Sequence, residues 1–369
     1  MPGKFFILSA RYVGEAKEWR RSLAMLPYEL RDVHFMPEYV DAFAGDDASP
    51  LLLVWEDDGG FATMQPVIMR KIAGSTDRWD LTCANFGGAL TSATFVTPLA
   101  AIEFGRAKRK WALDAGIVSE FLLYNPMLLS HQLPLAMAMP GTMHARETLS
   151  PMHFERNVVV LPITYGDEGH RRVGMDDARA HAIKSAYAKQ PTVTAFTSDP
   201  LDGASLQNFA RLYDGLMERK GAALRWRKDQ KFFADLFDRC DNQVFGIQAL
   251  LGGPAAAAVF SRSGDYAYYE FAAATERPPQ GLSDIAIDVG MAFAGKHGAG
   301  WLYLGGGLTN DPNDSLFAYK RSFGGIVLDV YSYREVVDHG AYIALSKGEA
   351  PIPAMGFFPH YRREEAEAA

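Results

Sequence analysis

The chain holds only two cysteines, Cys83 and Cys240, far apart in 369 residues. That argues against a disulfide framework or a cysteine-built zinc site and makes a reducing cytoplasm the expected location. No stretch approaches the roughly 18 apolar residues of a membrane span. The opening MPGKFFILSARYVGEAKEW meets charged residues too soon for the apolar core of a signal peptide. Positive charge is in deficit. Against 44 Asp and Glu stand 37 Lys and Arg, a formal net charge of −7, so neither DNA nor a general nucleic-acid coat is an expected partner; a local basic groove stays open. His-Glu-x-x-His is missing, and His131, His144, His153, His170 and His181 are scattered without ligand spacing, so no metal is expected. Asp311, Asn313 and Asp314 lack the terminal Glu of a calcium loop. Gly-x-Ser-x-Gly, the mark of a serine hydrolase, is absent, and no Gly-Lys-Ser/Thr completes a P-loop.

What is present is an ordinary globular composition, 48% hydrophobic and 22% charged, in a chain long enough for two domains. Helix patterns cover residues 37–43, 100–115, 176–189, 206–220, 231–237, 282–297 and 314–321. The clearest is 206–220, where Leu206, Phe209, Leu212, Tyr213, Leu216 and Met217 recur at spacings of three and four. Strand patterns cover 51–55, 61–68, 118–124, 158–163, 244–251, 255–261, 265–273, 301–304 and 326–333, with Asp57-Asp58-Gly59-Gly60 and Gly252-Gly253 as turns. Residues 137–154, rich in Met, Pro and His, read as a loop-rich crossing. The last third runs as a three-strand meander, a long helix, a strand, a short helix and a final strand. Alternating strands and helices require a mixed sheet covered by helices, an α/β fold.

Within that third lies WLYLGGGLTNDPNDSLFAYKRSFGG, residues 301–325: a strand ending in three glycines, a polar loop, and a lysine flanked by aromatics. With the element order it resembles the hallmark of the Fem-type (FemABX-like) branch of the GNAT acyltransferase superfamily. Other stretches are similar to that family in the same order: HFMPEYVDAF (34–43), QPVIMRKIAGSTDRWDLTCANFGGAL (65–90), FARLYDGLMERKGAALRWRKDQKFFADL (209–236) and GFFPHYRR (356–363). The resemblance implies tandem GNAT-like domains, expected at 1–160 and 161–369. It also implies a transferase that moves an aminoacyl group from aminoacyl-tRNA to an amine, forming an amide without ATP. The partners would then be an aminoacyl-tRNA donor, as co-substrate with no further cofactor, and an amine-bearing acceptor.

Aminolysis of an ester needs a deprotonated amine, a stabilised oxyanion and a protonated leaving group. By resemblance Lys320 is the functional lysine and Tyr319 its aromatic neighbour, placed to cradle a cation or to protonate the leaving oxygen. The bland alternative is that Lys320 caps its short helix and reaches to water. Gly305, Gly306 and Gly307 let the backbone approach a ligand or take positive φ, or simply end a strand. Asp80 is a candidate to position the acceptor amine, or else a cap. Arg227 resembles the arginine that meets an anionic acceptor, although Lys231 stands where a tyrosine is often found. Tyr268 and Tyr269 line the cleft or pack the core.

The segment before the long helix of the last third, TERPPQGLSD (275–284), has one glycine and two prolines. A GNAT enzyme that binds coenzyme A carries a glycine-rich turn there, whose backbone N–H groups hold the diphosphate, and each proline removes an N–H. An acyl-CoA donor is therefore less expected than aminoacyl-tRNA or a carrier-bound acyl group. A GNAT-like protein that binds without catalysing remains the rival from a different class.

Overall fold

The computed structural model describes residues 3–92, 98–128, 130, 152–164, 174–223, 226–253, 255–348 and 356–363. Two compact units emerge, one of Met1–Glu155 with Val330–Glu367 and one of Arg156–Asp329.

In the first unit β1 (Gly3–Ser9) and α1 (Val13–Ala24) are followed by α2 (Pro37–Ala44), β2 (Ala48–Asp57), β3 (Ala62–Lys71), β4 (Trp79–Thr82), β5 (Leu90–Thr91), α3 (Pro98–Asp114) and β6 (Ile117–Leu123). Proline in the first turn of α2 lacks the N–H that a helix start leaves unpaired anyway. In the β2–β3 turn the Asp57 carboxylate accepts from the N–H of Gly59 and of Phe61, both at 2.9 Å. Strands β1 to β4 pair antiparallel in sequence order, and β6 then lies parallel beside β4. That parallel step needs a crossover, which α3 supplies, burying Phe104 and Ala112 over Leu53, Val67, Leu81 and Ile117.

The second unit repeats the plan. After β7 (Met152–Pro162), α4 (Asp177–Tyr187), β8 (Thr192–Phe196), α5 (Gly203–Arg219) and α6 (Gln230–Arg239) come the meander β9 (Val244–Leu250), β10 (Ala255–Ser263) and β11 (Tyr266–Ala274). Then follow α7 (Leu282–Lys296), β12 (Trp301–Gly305) and α8 (Ser315–Arg321). Strand β12 is parallel to β11 and antiparallel to β7, and all other pairs are antiparallel. One face of this sheet packs Phe245, Ile247, Phe260, Leu302 and Leu304 against Ala286, Ile287 and Met291 of α7. The other face carries an aromatic layer under α5 and α6, where Phe233 meets the rings of Phe209, Tyr213 and Phe271 at 4.9, 5.2 and 5.3 Å.

The chain ends with β13 (Ile326–Val336) and α9 (His339–Leu345). Here the structure corrects the expected division at residue 160. Residues 332–336 of β13 pair antiparallel with β6, and Tyr361 and Arg362 reach Asp80, so the C-terminal stretch belongs to the first unit. A strand's pattern shows which face is buried and not which distant strand it pairs with. Of the expected crossing region 137–154, only 152–154 fall among the described residues, and they begin β7.

Candidate functional site

The site grows out of the place where β11 and β12 stop pairing. Their ladder spans three residues on each strand, 266–268 against 301–303. A register shift opposite Val259 and Phe260 then bulges β11 just past Tyr269, re-aiming its side chains, and a second shift interrupts β12 between Tyr303 and Gly305. Lys320 stands in the resulting fork. Its Nζ donates to the Gly306 carbonyl at 2.9 Å, on the β12 side, and lies 6.0 Å from the Tyr269 ring centroid, on the β11 side. Burial, reinforced by the Arg156 guanidinium, lowers its pKa from 10.5 to about 8, while Asp314 pulls the other way.

Asp314 builds the loop that carries this lysine. One carboxylate oxygen accepts from the N–H of Leu316 (2.9 Å) and Phe317 (3.0 Å), capping α8; the other accepts from Leu308 and Thr309, both at 3.0 Å. These donors, Phe317 N–H foremost, hold the carboxyl below its usual range. The glycines make the closure possible. Gly305 has φ +81°, and a Cβ on Gly307 would overlap the Asp314 carboxylate. The loop's Leu308 and Thr309 amides are thus engaged by its own aspartate, and the glycine stretch gives Lys320 a carbonyl acceptor.

Beside the fork opens a cavity of ≈ 660 Å³, lined by Tyr269, Ala272 and Ala274 of β11, Asp284 of α7, Arg179 of α4 and Tyr319 of α8. Asp284, 3% exposed in the first turn of α7, organises its wall. It accepts from the Tyr319 hydroxyl at 2.7 Å and from Arg179 at 2.6 Å, and the Arg179 guanidinium lies 4.4 Å from the Tyr319 ring centroid. Tyr319 therefore cradles a cation, and its hydroxyl is committed to Asp284. Burial, with the Tyr269 and Asp284 charges, raises the pKa of that hydroxyl far above 10. The first turn of α7 accordingly carries a buried carboxylate, and Pro278 and Pro279 on the same rim offer no N–H. Gly281, at φ +85°, lets α4 press against this turn, since a Cβ there would overlap the Ala182 carbonyl oxygen.

No protein-family model matches the sequence, and no curated protein matches it. Among solved structures, FemX superimposes with a TM-score of 0.65 at 12% identity over 93% of this chain and 99% of that one. A tandem GNAT protein from the clavulanic acid biosynthesis pathway gives 0.53 at 9% identity over 91% and 99%. L-PGS from Bacillus licheniformis gives 0.52 at 10% identity over 90% and 93%. The fold is the tandem GNAT fold, in its Fem-like form.

Within that Fem-like fold, the structure brings together Lys320, Tyr319, Tyr269 and Gly305–Gly306–Gly307 in the second unit. Tyr268 points to the opposite face of β11, buried with its ring 5.8 Å from that of Tyr303. Arg227 is exposed on the loop before α6, its Nε donating to the Ala222 carbonyl at 2.9 Å. Asp80 is 1% exposed in the first unit. Its carboxylate receives Arg70 Nε at 2.9 Å, the Arg362 guanidinium, and the Tyr361 hydroxyl at 3.4 Å, so the seat expected for an amine is held by two arginines. Sequence reasoning missed Asp284, Arg179 and Arg156. Asp284 had a signal, an acidic residue inside the apolar run LSDIAIDVG; Arg179 and Arg156 had none, because only folding brings them near.

Proposed function

We propose that the chain is a cytoplasmic N-acyltransferase that moves an aminoacyl group from aminoacyl-tRNA onto an amine of a small molecule, peptide or cell-surface precursor. Lys320, half-buried in the fork beside the Tyr269-lined cavity, is the observation that carries this reading. The amine nitrogen attacks the ester carbonyl carbon, whose π electrons move onto oxygen. The Lys320 ammonium, which in the free protein donates to the Gly306 carbonyl, hydrogen-bonds that oxyanion. Collapse breaks the bond to the ribose oxygen, and the proton lost by the amine ends on the departing hydroxyl. The donor ester supplies the driving force, so the reaction requires no further cofactor.

The preference for a tRNA ester over a thioester rests on the entrance to α7. A coenzyme A diphosphate placed there would face the Asp284 carboxylate, and of the rim residues before it Pro278 and Pro279 have no N–H to offer where the usual cradle supplies donors. The alternative, an acyl-CoA donor, has one observation in its favour: the cavity runs along β11 beyond its ladder with β12, which suits an extended arm.

The deciding experiment offers the purified protein charged tRNAs and, separately, a panel of acyl-CoAs, with trial amines, and follows deacylation. Aminoacyl-tRNA should transfer its amino acid to an amine, and Lys320→Ala should lower that rate by about 10²- to 10³-fold. Turnover of acyl-CoA alone would replace the donor; turnover of neither with any amine would remove the transferase reading.

A further inference from the structure

The chain is acidic overall, yet between Arg211 and Lys231 seven Lys and Arg stand against three Asp and Glu. Among the described residues of this segment, Arg211, Arg219 and Lys220 are exposed on or just after α5, Arg227 on the following loop, and Lys231 on α6. Trp226 lies in their midst, 56% exposed. An exposed tryptophan is usually mobile or half sunk. Here the backbone that carries the ring is tied to α5, because the Tyr213 hydroxyl donates to the Trp226 carbonyl at 2.7 Å. Next to it, a second cleft of ≈ 650 Å³ is lined by Arg211 and Asn208 of α5 and by Lys228, Asp229 and Gln230 at the start of α6. Helix α5 belongs to both cavities, since Leu216 and Arg219, with Lys220 just beyond, stand on the wall of the donor cavity. From Arg211 to Arg219 the helix rises about 12 Å.

Cations spaced along a surface with one aromatic platform between them match a nucleic-acid strand, whose phosphates take the cations, displacing Asp235 from Lys231 (2.6 Å), and whose bases stack on the ring. A membrane surface fits less well. Apart from Ala204 and Ala210, the residues lining the cleft that Lys228 shares are Arg, Lys, Asp, Asn and Gln, a poor surface for entering lipid. We propose that the α5–α6 face binds the single-stranded acceptor end of an RNA donor, with Trp226 stacking a base and Arg211, Arg227, Lys228 and Lys231 on the phosphates, so that α5 leads the strand toward the donor cavity. This rests on the aminoacyl-tRNA reading above.

The test is fluorescence anisotropy with labelled, uncharged tRNA over a salt series from about 50 to 200 mM. Wild type should bind with an affinity that falls as salt rises. Trp226→Ala should weaken binding roughly 5- to 150-fold and Trp226→Phe should restore most of it. Arg227→Ala and Lys231→Ala should each flatten the logarithmic salt slope by about 0.7–1. Lys296→Glu, an exposed charge change on α7, should leave binding unaltered and so separates a local surface from net charge. Wild-type affinity in the Trp226, Arg227 and Lys231 variants would overturn the proposal. So would patch-dependent binding to phosphatidylglycerol vesicles with none to tRNA. If the variants bind as wild type while charged tRNA is still consumed, this surface is wrong and the donor reading stands. If the variants lose tRNA binding but charged tRNA is never deacylated by wild type, the RNA surface stands and the transfer reading falls.

Discussion

At Lys320 two requirements pull against each other. A lysine brought down to about 8 from 10.5 by burial and by Arg156 is a residue whose charge the fold tolerates poorly, and its charge is what an oxyanion needs. The sign of its effect on stability follows. Between about 8 and 10.5 the unfolded chain holds this proton more tightly than the folded one, so the group's contribution to stability rises with pH across that window and is most unfavourable below it. Lys320→Met should therefore raise Tm at pH 7, and the gain should shrink as pH climbs from about 8 to 10.5; a Tm difference independent of pH would show that the lysine is not strained by burial. The catalytic counterpart is a fall in kcat/KM as pH passes about 8, where the ammonium is lost. Lys320→Arg keeps its charge above pH 12, so it should retain part of the rate and lose that alkaline limb. A wild-type profile flat to pH 10 would remove Lys320 from the oxyanion.

The entrance to α7 is the element on which the donor depends. Asp284, Arg179 and the Tyr319 hydroxyl form a closed set there, and Gly281 lets α4 approach closely enough to supply the arginine. Gly281→Ala forces a residue with a Cβ into positive φ, costing about 1–2 kcal/mol, and drives that Cβ into backbone that cannot yield. Its urea midpoint should drop by more than Gly252→Ala, where φ is +62° but the space is open. Asp284→Ala should weaken folding by about 3 kcal/mol, because it leaves Arg179 without its carboxylate. It should also remove a negative charge from the first turn of α7, so acyl-CoA affinity measured by calorimetry should rise; no change would show that Asp284 does not guard against thioesters. Some of this element was legible in the sequence. TERPPQGLSD announced the loss of the glycine-rich turn, and the motif around Lys320 placed the lysine. What could not be read was direction. Tyr319 and Lys320 are neighbours, yet one turns to the cavity and the other to Gly306, an orientation decided by Asp284 and by the Asp314-capped loop. Tyr268 and Tyr269 separate in the same way, by the two-residue period of a strand whose buried face was not yet known.

At the scale of the molecule, the meander, helix and parallel strand occur once in each unit, and hydrophobic periodicity carried most of those elements. It missed β1, α1, β4 and α9, and also β8, whose Thr192–Phe196 alternates weakly because the strand lies at the sheet edge and is mostly exposed. It also missed how the chain returns. GFFPHYRR was recognisable as a family-like stretch, but only the fold shows that Arg362 and Tyr361 close onto Asp80, joining the C-terminal stretch to β3 and β4. Asp80 is consequently a structural requirement of the first unit. Asp80→Ala leaves the Arg70 and Arg362 guanidinium groups facing each other around an empty carboxylate site and should cost about 3–5 kcal/mol. Arg362→Ala removes one of two cations and leaves Arg70 in place, so roughly 1.5–3 kcal/mol is expected. Urea unfolding of the two single variants and the double variant tests this: once Asp80 is gone, removing Arg362 should cost little or even help, since it relieves repulsion with Arg70. Additive losses in the double variant would mean that the C-terminal stretch is held by its apolar contacts, Phe358 and Tyr361 against Tyr342, and not by the Asp80 carboxylate.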